Sequence, residues 1–244
     1  MRNLRLDICY DGTSYRGWQR LQNREETIQG KLETALSRIL EEPIEIIGSG
    51  RTDAGVHAKG QVANFHCEST MEAEEILRNL RKYLPEDIGI HSCKEVSPRF
   101  HARLNAKEKT YLYRIWNSEA PCVFERRFVT VMPEKLDTAA MEAAARHLLG
   151  QHDFSAFCGN AKMKKSTVRF IRSIEITHQG QELQLRFTGN GFLQNMVRIL
   201  VGTLVEVGRA ERRADSIPAL FGGKRAAAGF LAPAQGLCLE EVMY

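Results

Sequence analysis

Hydrophobic and polar residues follow regular patterns along most of the chain. Residues 4–10 alternate between apolar and polar types before Asp11-Gly12, which predicts a half-buried strand that ends in a turn. Apolar residues then recur at helical spacing over 28–40, directly after Thr27, a residue type that caps helices. The first part of the chain is therefore predicted to begin with a strand, a loop and a helix.

The rest of the chain continues this mixture without regular strand-helix-strand spacing. The patterns predict, in chain order, strands at 44–47 and 61–67, a helix at 68–81, strands at 88–96 and 111–116, a helix at 137–149, strands at 170–177 and 182–188, a helix at 192–207 and a strand at 237–242. This order favours an α+β fold with mostly antiparallel sheet flanked by helices over a doubly wound parallel sheet. We predict two such halves, 1–105 and 106–244, which meet at a basic loop.

Composition places the chain among ordinary folded proteins. Of its 244 residues, 43% are apolar and 26% are charged, so a sizeable core is available for one large domain or two smaller ones. No apolar run approaches the roughly 20 residues that a membrane span needs, and the first residues lack a secretory apolar region. We therefore expect a cytoplasmic protein without membrane association. Six widely spaced cysteines predict buried, reduced thiols.

Several familiar motifs fail on inspection. Gly48–Asp53 begins like a dinucleotide fingerprint, but an acidic residue stands at the third glycine position. Gly222–Arg225 contains the Gly-Lys pair of a phosphate loop, yet the first glycine of that loop and the Ser or Thr after the lysine are both missing. The seven histidines show no metal-ligand spacing. Hydride transfer, nucleotide hydrolysis and zinc chemistry are left without a site.

Two charged residues stand in unusual surroundings. Asp53 lies between small residues and glycines at the end of an apolar strand. It is either an ordinary turn aspartate, with Gly55 at a positive φ, or a carboxylate that a large ligand can approach. Arg198 lies within an apolar helix, so its guanidinium must either extend to the surface or meet a carboxylate.

Positive charge is concentrated in two segments, although the net charge is only +4. Residues 99–114 carry five Arg or Lys against one acidic residue, and residues 160–172 carry five and no acidic residue. Such clusters are either solvated faces or parts of a groove that follows a nucleic-acid backbone.

A set of short segments is spread from one end of the chain to the other. In order, they are Tyr10–Gly12, Tyr15–Gln19, Thr27–Gln29, Gly50–Ala58, Gly60–Val62, Phe100–Arg103, Lys109–Tyr111, His152–Phe154, Gly191-Phe192, Met196–Arg198 and Ala232–Leu237. In these residues and in their order, the chain resembles the tRNA pseudouridine synthase A family. The Gly-Arg-Thr-Asp-Ala-Gly-Val-His segment is very specific, since it separates this family from other pseudouridine synthases.

The resemblance implies an isomerase that converts uridines 38, 39 and 40 of the tRNA anticodon arm to pseudouridine. It also implies the pseudouridine synthase fold, with a basic active-site cleft between the two halves, and a homodimer that holds tRNA across both subunits. The reaction breaks the bond from ribose to uracil N1 and rejoins the sugar at C5. No redox agent, metal or other cofactor is needed for this exchange.

By resemblance, three residues form the catalytic set. Asp53 is the catalytic carboxylate, which attacks uracil C6 or ribose C1′ or acts as a base, and the sequence does not choose among these roles. Arg198 pairs with this aspartate and favours its charged form. Tyr111 lies against the target uracil, where its ring stacks and its hydroxyl is available for proton transfer at C5. A strand-core aromatic is the other interpretation of Tyr111.

The resemblance also implies a set of RNA-binding residues. A base in a paired or stacked arm must be flipped out before it can react, and the loop with Phe100, His101 and Arg103 resembles the segment that extrudes it. Arg51 resembles a contact to the flipped nucleotide or its phosphate, and Leu237 resembles the apolar wall under the uracil, although a core leucine fits equally well. Lys59 and Gln61 complete the predicted RNA contacts.

Two other functions remain as rivals. A non-catalytic tRNA-binding or RNA chaperone module on the same scaffold would share the charge pattern, but Asp53, Tyr111 and Arg198 are all intact. A base deaminase would need zinc-ligand motifs of the H-x-E and P-C-x-x-C types, and the chain has neither.

Overall fold

The computed structural model describes residues 1–21, 26–160 and 162–244, which form two compact units. The first unit comprises Met1–Lys107 together with Leu239–Tyr244, and the second comprises Glu108–Cys238. In chain order the helices and longer strands are β1 Arg2–Tyr10, α1 Ile28–Leu40, β2 Ile46–Gly48, β3 His57–Cys67, α2 Ala73–Tyr83, β4 Ile88–Glu95, β5 Glu108–Trp116, β6 Thr130–Val131, α3 Thr138–Arg146, β7 Gly150–Asp153, β8 Val168–Gln179, β9 Glu182–Gly189, α4 Met196–Gly208 and β10 Leu237–Met243.

The first unit is an antiparallel sheet with two helices. Strand β1 lies between β3 and β4 and is antiparallel to both, so that Leu6 stands opposite Ala63 on one side and Cys93 on the other. Strand β2 pairs with β3, antiparallel. The apolar positions of β1 are fully buried, as are Ile28, Leu32 and Leu36 of α1. The alternating pattern of β1 and the helical pattern of α1 therefore each mark a buried face, as expected of a half-buried strand and an amphipathic helix.

The last residues of the chain lie in a different unit from the one that the predicted division into 1–105 and 106–244 gives them. Residues 239–244 belong to the first unit, because β10 is hydrogen-bonded to β3 there. The two strands approach so closely that a Cβ at Gly60 would lie 2.2 Å from the carbonyl oxygen of Glu240. Glycine at this position in β3 is what permits the approach.

The second unit is also an antiparallel sheet with two helices. Strand β9 lies between β5 and β8 and is antiparallel to both, β7 extends the sheet beyond β8, and the short β6 runs parallel to its neighbour β5. All residues of α4 are buried except Arg198 and Glu206. The two units together confirm the predicted α+β class with mostly antiparallel sheet flanked by helices.

Two helices begin later than predicted. Helix α2 begins at Ala73 rather than at residue 68, because the backbone N–H groups of Glu68 and Ser69 donate to the carboxylate of Glu42 instead of entering a helix. Helix α4 begins at Met196 rather than near 192, because Asn195 has a left-handed backbone with φ +61°. In both cases local hydrogen bonding or backbone geometry overrides the apolar pattern.

Two general expectations can be compared with the structure. Among the described residues no helix is both long and apolar enough to cross a membrane. All six cysteines are free thiols, and all but the half-buried Cys9 are buried, as predicted. Burial raises the pKa of Cys93 to about 12.

Candidate active site

The residues that connect β2 to β3 form a tight turn, here called the Asp53 turn (residues 50–56). The N–H of Val56 donates to the carbonyl of Asp53 at 3.1 Å, and Gly55 has φ +76°, the positive value that the sequence predicts. Arg51 is exposed and Asp53 is partly exposed. The turn therefore presents one arginine and one carboxylate on neighbouring positions of a constrained backbone.

The segment after β1 holds the Asp53 turn through main-chain contacts. The N–H of Trp18 donates to the carbonyl of Thr52 at 3.0 Å, and the N–H of Gly55 donates to the carbonyl of Tyr15 at 3.3 Å. The hydroxyl groups of Tyr10 and Thr52 lie 2.8 Å apart in a buried hydrogen bond. The turn is thus fixed from one side by main-chain hydrogen bonds and by one buried side-chain hydrogen bond.

Glycine is needed where these two segments meet. Gly17 has φ +94°, and a Cβ at this residue would lie 2.7 Å from the carbonyl oxygen of Thr52 and 3.1 Å from the carbonyl carbon of Asp53. A Cβ at Gly12 would lie 2.0 Å from the carbonyl oxygen of Val56. Any larger residue at either position must displace the Asp53 turn.

Gln61 supports the start of this turn and does not face solvent. Its side chain is fully buried, its Oε1 accepts from Ser49 Oγ at 2.6 Å, and its Nε2 donates to the carbonyl of Gly50 at 3.0 Å. Both ends of the amide are thus used inside the unit, and the RNA contact of Gln61 stays a prediction. Lys59, two residues earlier on β3, is exposed.

A second turn, here called the Arg103 turn (residues 97–105), carries the predicted extrusion residues. The N–H of Asn105 donates to the carbonyl of His101 at 3.0 Å, and the Asn105 side chain accepts from the N–H of His101 at 2.7 Å. His101 Nδ1 accepts from the N–H groups of Arg103 and Leu104 at 3.2 and 3.3 Å. Half-buried His101 thus organises the turn from within.

The side chains of Arg103 and Leu104 point outward, whereas Ala102 between His101 and Arg103 is buried. Arg103 is exposed, and Leu104 is 76% exposed. Partial burial lowers the pKa of the Arg103 guanidinium, and the positive charge of Arg51 lowers it further. Two cations from two turns of the same unit therefore act on each other. Leu104, an apolar residue beside an arginine in a basic loop, is not among the RNA contacts that the sequence predicts.

In the second unit, Tyr111 lies on β5 opposite Phe187 of β9. Its side chain is 7% exposed, and its ring meets that of Phe192 edge to face, with centroids 5.2 Å apart. Phe192 belongs to the Gly-Phe pair of the sequence but was not predicted to contact Tyr111. The edge contact fixes the orientation of the tyrosine ring.

Arg198 lies in the first turn of α4 and is half-buried. Its Nε donates to the carbonyl of Ala232 at 2.7 Å, and the N–H of Ala232 donates back to the carbonyl of Arg198 at 3.2 Å. This pair of bonds ties the arginine to the segment before β10. Leu237, at the start of β10, is 5% exposed, as a core leucine would be.

The basic cluster of residues 160–172 is divided in the structure. Lys162, Lys164 and Lys165 are exposed. Arg169 donates to the carbonyls of Ser166 and Val168, and Arg172 pairs with Glu108 at 3.2 Å. The three lysines are therefore the members of the cluster whose charges lie most open to a polyanion.

The described residues contain no group of three or more His, Cys, Asp or Glu side chains that could hold a metal ion. The candidate residues lie in both units: the Asp53 turn and the Arg103 turn belong to the first, and Tyr111 and Arg198 belong to the second.

Comparison with known proteins identifies the family. A family model described as tRNA pseudouridine synthase matches residues 8–105 and 144–244. The tRNA pseudouridine synthase A 2 of Bacillus cereus (strain ZK / E33L) is 47% identical over 245 residues, covering 100% of both chains. The tRNA pseudouridine synthase A 1 of Clostridium tetani (strain Massachusetts / E88) is 45% identical, again with 100% of both chains covered.

The chain therefore belongs to the tRNA pseudouridine synthase A family. Pseudouridine synthases are isomerases, and the chain is an enzyme of this class. Among solved structures, a chain of a Cbf5-Nop10-Gar1 complex matches with a TM-score of 0.36 and 13% identity, over 83% of this chain and 45% of that one. That likeness is too low to support an argument.

Proposed function

We propose that the protein converts uridine to pseudouridine at positions 38, 39 and 40 of the tRNA anticodon arm, with Asp53 as the catalytic carboxylate. The observation that carries the proposal is the Asp53 turn: a partly exposed carboxylate on a backbone that Gly17 allows to lie against Thr52 and Asp53. The family-specific segment around Asp53 occurs in a chain that is 47% identical over its full length to a tRNA pseudouridine synthase A 2.

The chemistry assigned to Asp53 needs a group that is ionised at neutral pH. An aspartate has an ordinary pKa of about 3.9 and meets this need without assistance. In the reaction the bond between C1′ and N1 breaks, a bond between C1′ and C5 forms, and the proton on C5 is replaced by one on N1, so substrate and product are isomers. The carboxylate either attacks C6 or C1′ or removes a proton, and the proposal holds for each of these routes.

Tyr111 and Arg198 are assigned supporting roles in the same reaction. The Tyr111 ring, oriented by its edge contact with Phe192, is proposed to stack on the uracil while the base is detached. Its hydroxyl is the candidate for proton transfer at C5. The guanidinium of Arg198, directed by its bond to the Ala232 carbonyl, is proposed to favour the charged form of the catalytic carboxylate. Leu237 is proposed as the apolar wall beneath the uracil.

Base extrusion is assigned to the Arg103 turn. Flipping a nucleotide out of a helix costs a few kcal/mol, which contacts elsewhere must offset. His101 uses Nδ1 inside the turn, so exposed Arg103 is the stronger candidate for the place that the base vacates. Phe100 is proposed to support the conformation of the turn. Arg51, whose charge lies close to that of Arg103, is a candidate partner for a nearby phosphate.

Wider tRNA binding is assigned to exposed cations, chiefly Lys59 of the first unit and Lys162, Lys164 and Lys165 of the second. Such contacts release counterions, so affinity should fall steeply with salt. We further propose a homodimer. A molar mass of twice the chain mass of 27.6 kDa, measured by light scattering, would support the homodimer. The mass of a single chain at working concentration would refute it.

The proposal is tested by mapping pseudouridines after incubation of the protein with unmodified tRNA. Chemical labelling of pseudouridine followed by primer extension should give stops at positions 38, 39 and 40 where these are uridines. A tRNA in which these uridines are replaced by cytidine is the control and should gain none. Stops elsewhere would refute the assigned positions, and salt-sensitive binding without any stop would favour the non-catalytic binding module.

A further inference from the structure

The Arg103 turn is held by side chains that lie far from it in sequence. Asn3 on β1 donates through Nδ2 to the carbonyls of Ser97 and Phe100, both at 2.9 Å. Asn64 on β3 accepts through Oδ1 from the N–H of Ala102 at 2.9 Å. The backbone of the turn thus rests on two asparagines of the sheet.

These two asparagines form a buried pair. Asn64 Nδ2 donates to Asn3 Oδ1 at 2.9 Å, and the exposed fractions of the two residues are 0% and 1%. Buried amides are costly unless their hydrogen bonds are made. Here their remaining bonds go to the Arg103 turn, so the stability of the pair is coupled to one conformation of that turn.

Tyr244 holds the turn from another direction. Its hydroxyl donates to the carbonyl of Ala102 at 2.7 Å, and its ring lies 5.0 Å from that of Phe100. The guanidinium of Arg5 lies 4.9 Å from the centre of the Tyr244 ring. Burial raises the pKa of the Tyr244 hydroxyl, so it remains a neutral donor at physiological pH.

Ala102 is therefore clamped on both of its peptide groups. It is fully buried, its N–H is bound by Asn64, and its carbonyl is bound by Tyr244. Arg103 is the next residue, so the clamp sets the direction in which that exposed side chain leaves the surface. A side chain that is held before binding loses less conformational freedom when it reaches its target.

We propose that Tyr244, Asn3 and Asn64 are positioning residues. Together they fix the direction of Arg103 for extrusion of the target uridine. The inference rests on the proposed function of the Arg103 turn. It assigns a role in the extrusion step to three residues that contact neither the Asp53 turn nor the reacting atoms in the proposal above.

The test uses Tyr244→Phe, which removes the hydroxyl bond to Ala102 and keeps the ring. Tritium release from uracil C5 is measured in single turnover with two tRNAs, one with the target uridine in a base pair and one with the partner base changed so that the uridine is unpaired. Loss of one such hydrogen bond predicts a rate about five-fold lower on the paired substrate. The unpaired substrate needs less extrusion and should recover most of the native rate.

Tyr83→Phe is the matched control, because the Tyr83 ring also lies beside an arginine, Arg38, at 5.2 Å, but at the end of α2. This variant should behave as native on both substrates. An equal loss on paired and unpaired substrates in Tyr244→Phe would show general damage to the fold and overturn the proposal. Native rates on both would overturn it as well.

A second measurement does not depend on activity. Amide hydrogen exchange at Ala102 and Arg103 should become faster in Tyr244→Phe and remain unchanged in Tyr83→Phe. Unchanged exchange in both variants would refute the clamp. If the native protein released no tritium, the proposed function would fail, whereas native activity with an unaffected Tyr244→Phe would refute only the positioning role.

Discussion

The two turns of the first unit are built by different means. The Asp53 turn is fixed by backbone against backbone, since glycines at 12 and 17 let the chain lie where a Cβ would meet carbonyl atoms at 2.0 and 2.7 Å. The Arg103 turn is fixed by side chains against backbone, through Asn3, Asn64 and Tyr244. The first turn depends on close main-chain contacts that glycine permits, and the second depends on hydrogen bonds from distant side chains.

This difference matters for the roles proposed here. A catalytic carboxylate gains from a position that hardly varies, because a misplacement of about 1 Å can reduce a rate by about 100-fold. A turn that enters a nucleic acid must hold its backbone in one orientation, so that its exposed side chains leave the surface in the direction of the target. Close backbone packing suits the first task, and anchored but exposed side chains suit the second.

Among variants that test the difference between the two turns, the largest effect is expected when the backbone contact at Gly17 is broken. In Gly17→Ala the new methyl group would meet Thr52 and the backbone of Asp53, at a residue whose φ of +94° also disfavours alanine. The displaced carboxylate should lower the tritium-release rate by about 100-fold, with tRNA binding kept. The rate is measured in single turnover on a folded sample, as judged by its melting curve.

Gly180→Ala is the control for backbone strain. Gly180, in the turn between β8 and β9, also has a positive φ, at +63°, but nothing lies within 4 Å of the position of a Cβ. This variant should lose about 1 kcal/mol of stability and keep its rate. Equal losses of activity in the two variants would contradict the role assigned to contact with Asp53.

A smaller effect is expected from removing either of the two neighbouring cations, Arg51 of the Asp53 turn or Arg103 of the Arg103 turn. Arg51→Gln and Arg103→Gln should each weaken tRNA binding about ten-fold at low salt, since each removes a charge-assisted contact to phosphate. Each should also reduce the slope of log affinity against log salt by about one. Arg213→Gln is the control, because exposed Arg213 is already paired with Asp215. If none of the three variants changed the slope of log affinity against log salt, the phosphate contacts proposed for Arg51 and Arg103 would be refuted.

The smallest effect is expected at the tip of the Arg103 turn. Leu104 is 76% exposed and would serve as an apolar wedge beside Arg103 when the turn enters the stem. Leu104→Ser should slow single turnover about three-fold on a paired uridine and leave an unpaired one unaffected. Leu149→Ser, at another exposed leucine, should change neither rate. A faster Leu104→Ser enzyme would exclude the wedge.

The same contrast explains what the sequence could reveal. The Asp53 turn is readable because its requirements fall on glycines and on residues close together in the chain. Asn3, Asn64 and Tyr244 are single polar residues, up to 142 positions from the turn residue they bind, so no local pattern marks them. The buried bonds of Gln61 to Ser49 and Gly50 were not predictable for the same reason, because its neighbours in sequence do not show them.

The fold was predictable where one pattern dominates. The alternation of residues 4–10 predicted strand β1 correctly, and Thr27 predicted the start of α1. The N–H of Gly30 donates to Thr27 Oγ1 at 3.2 Å and thereby caps this helix. The start of α2 was not predictable, because it depends on a carboxylate that lies 26 residues earlier than Glu68. The placement of residues 239–244 in the first unit likewise depends on pairing between distant strands.

The central claim is that the Asp53 carboxylate carries out the isomerisation. It is tested most directly by tritium release from tRNA labelled at uracil C5, with the native protein and Asp53→Asn compared side by side. The amide has nearly the same shape, so it should keep tRNA binding and the turn intact while release falls to background. Release by Asp53→Asn at a rate close to that of the native protein would contradict the account.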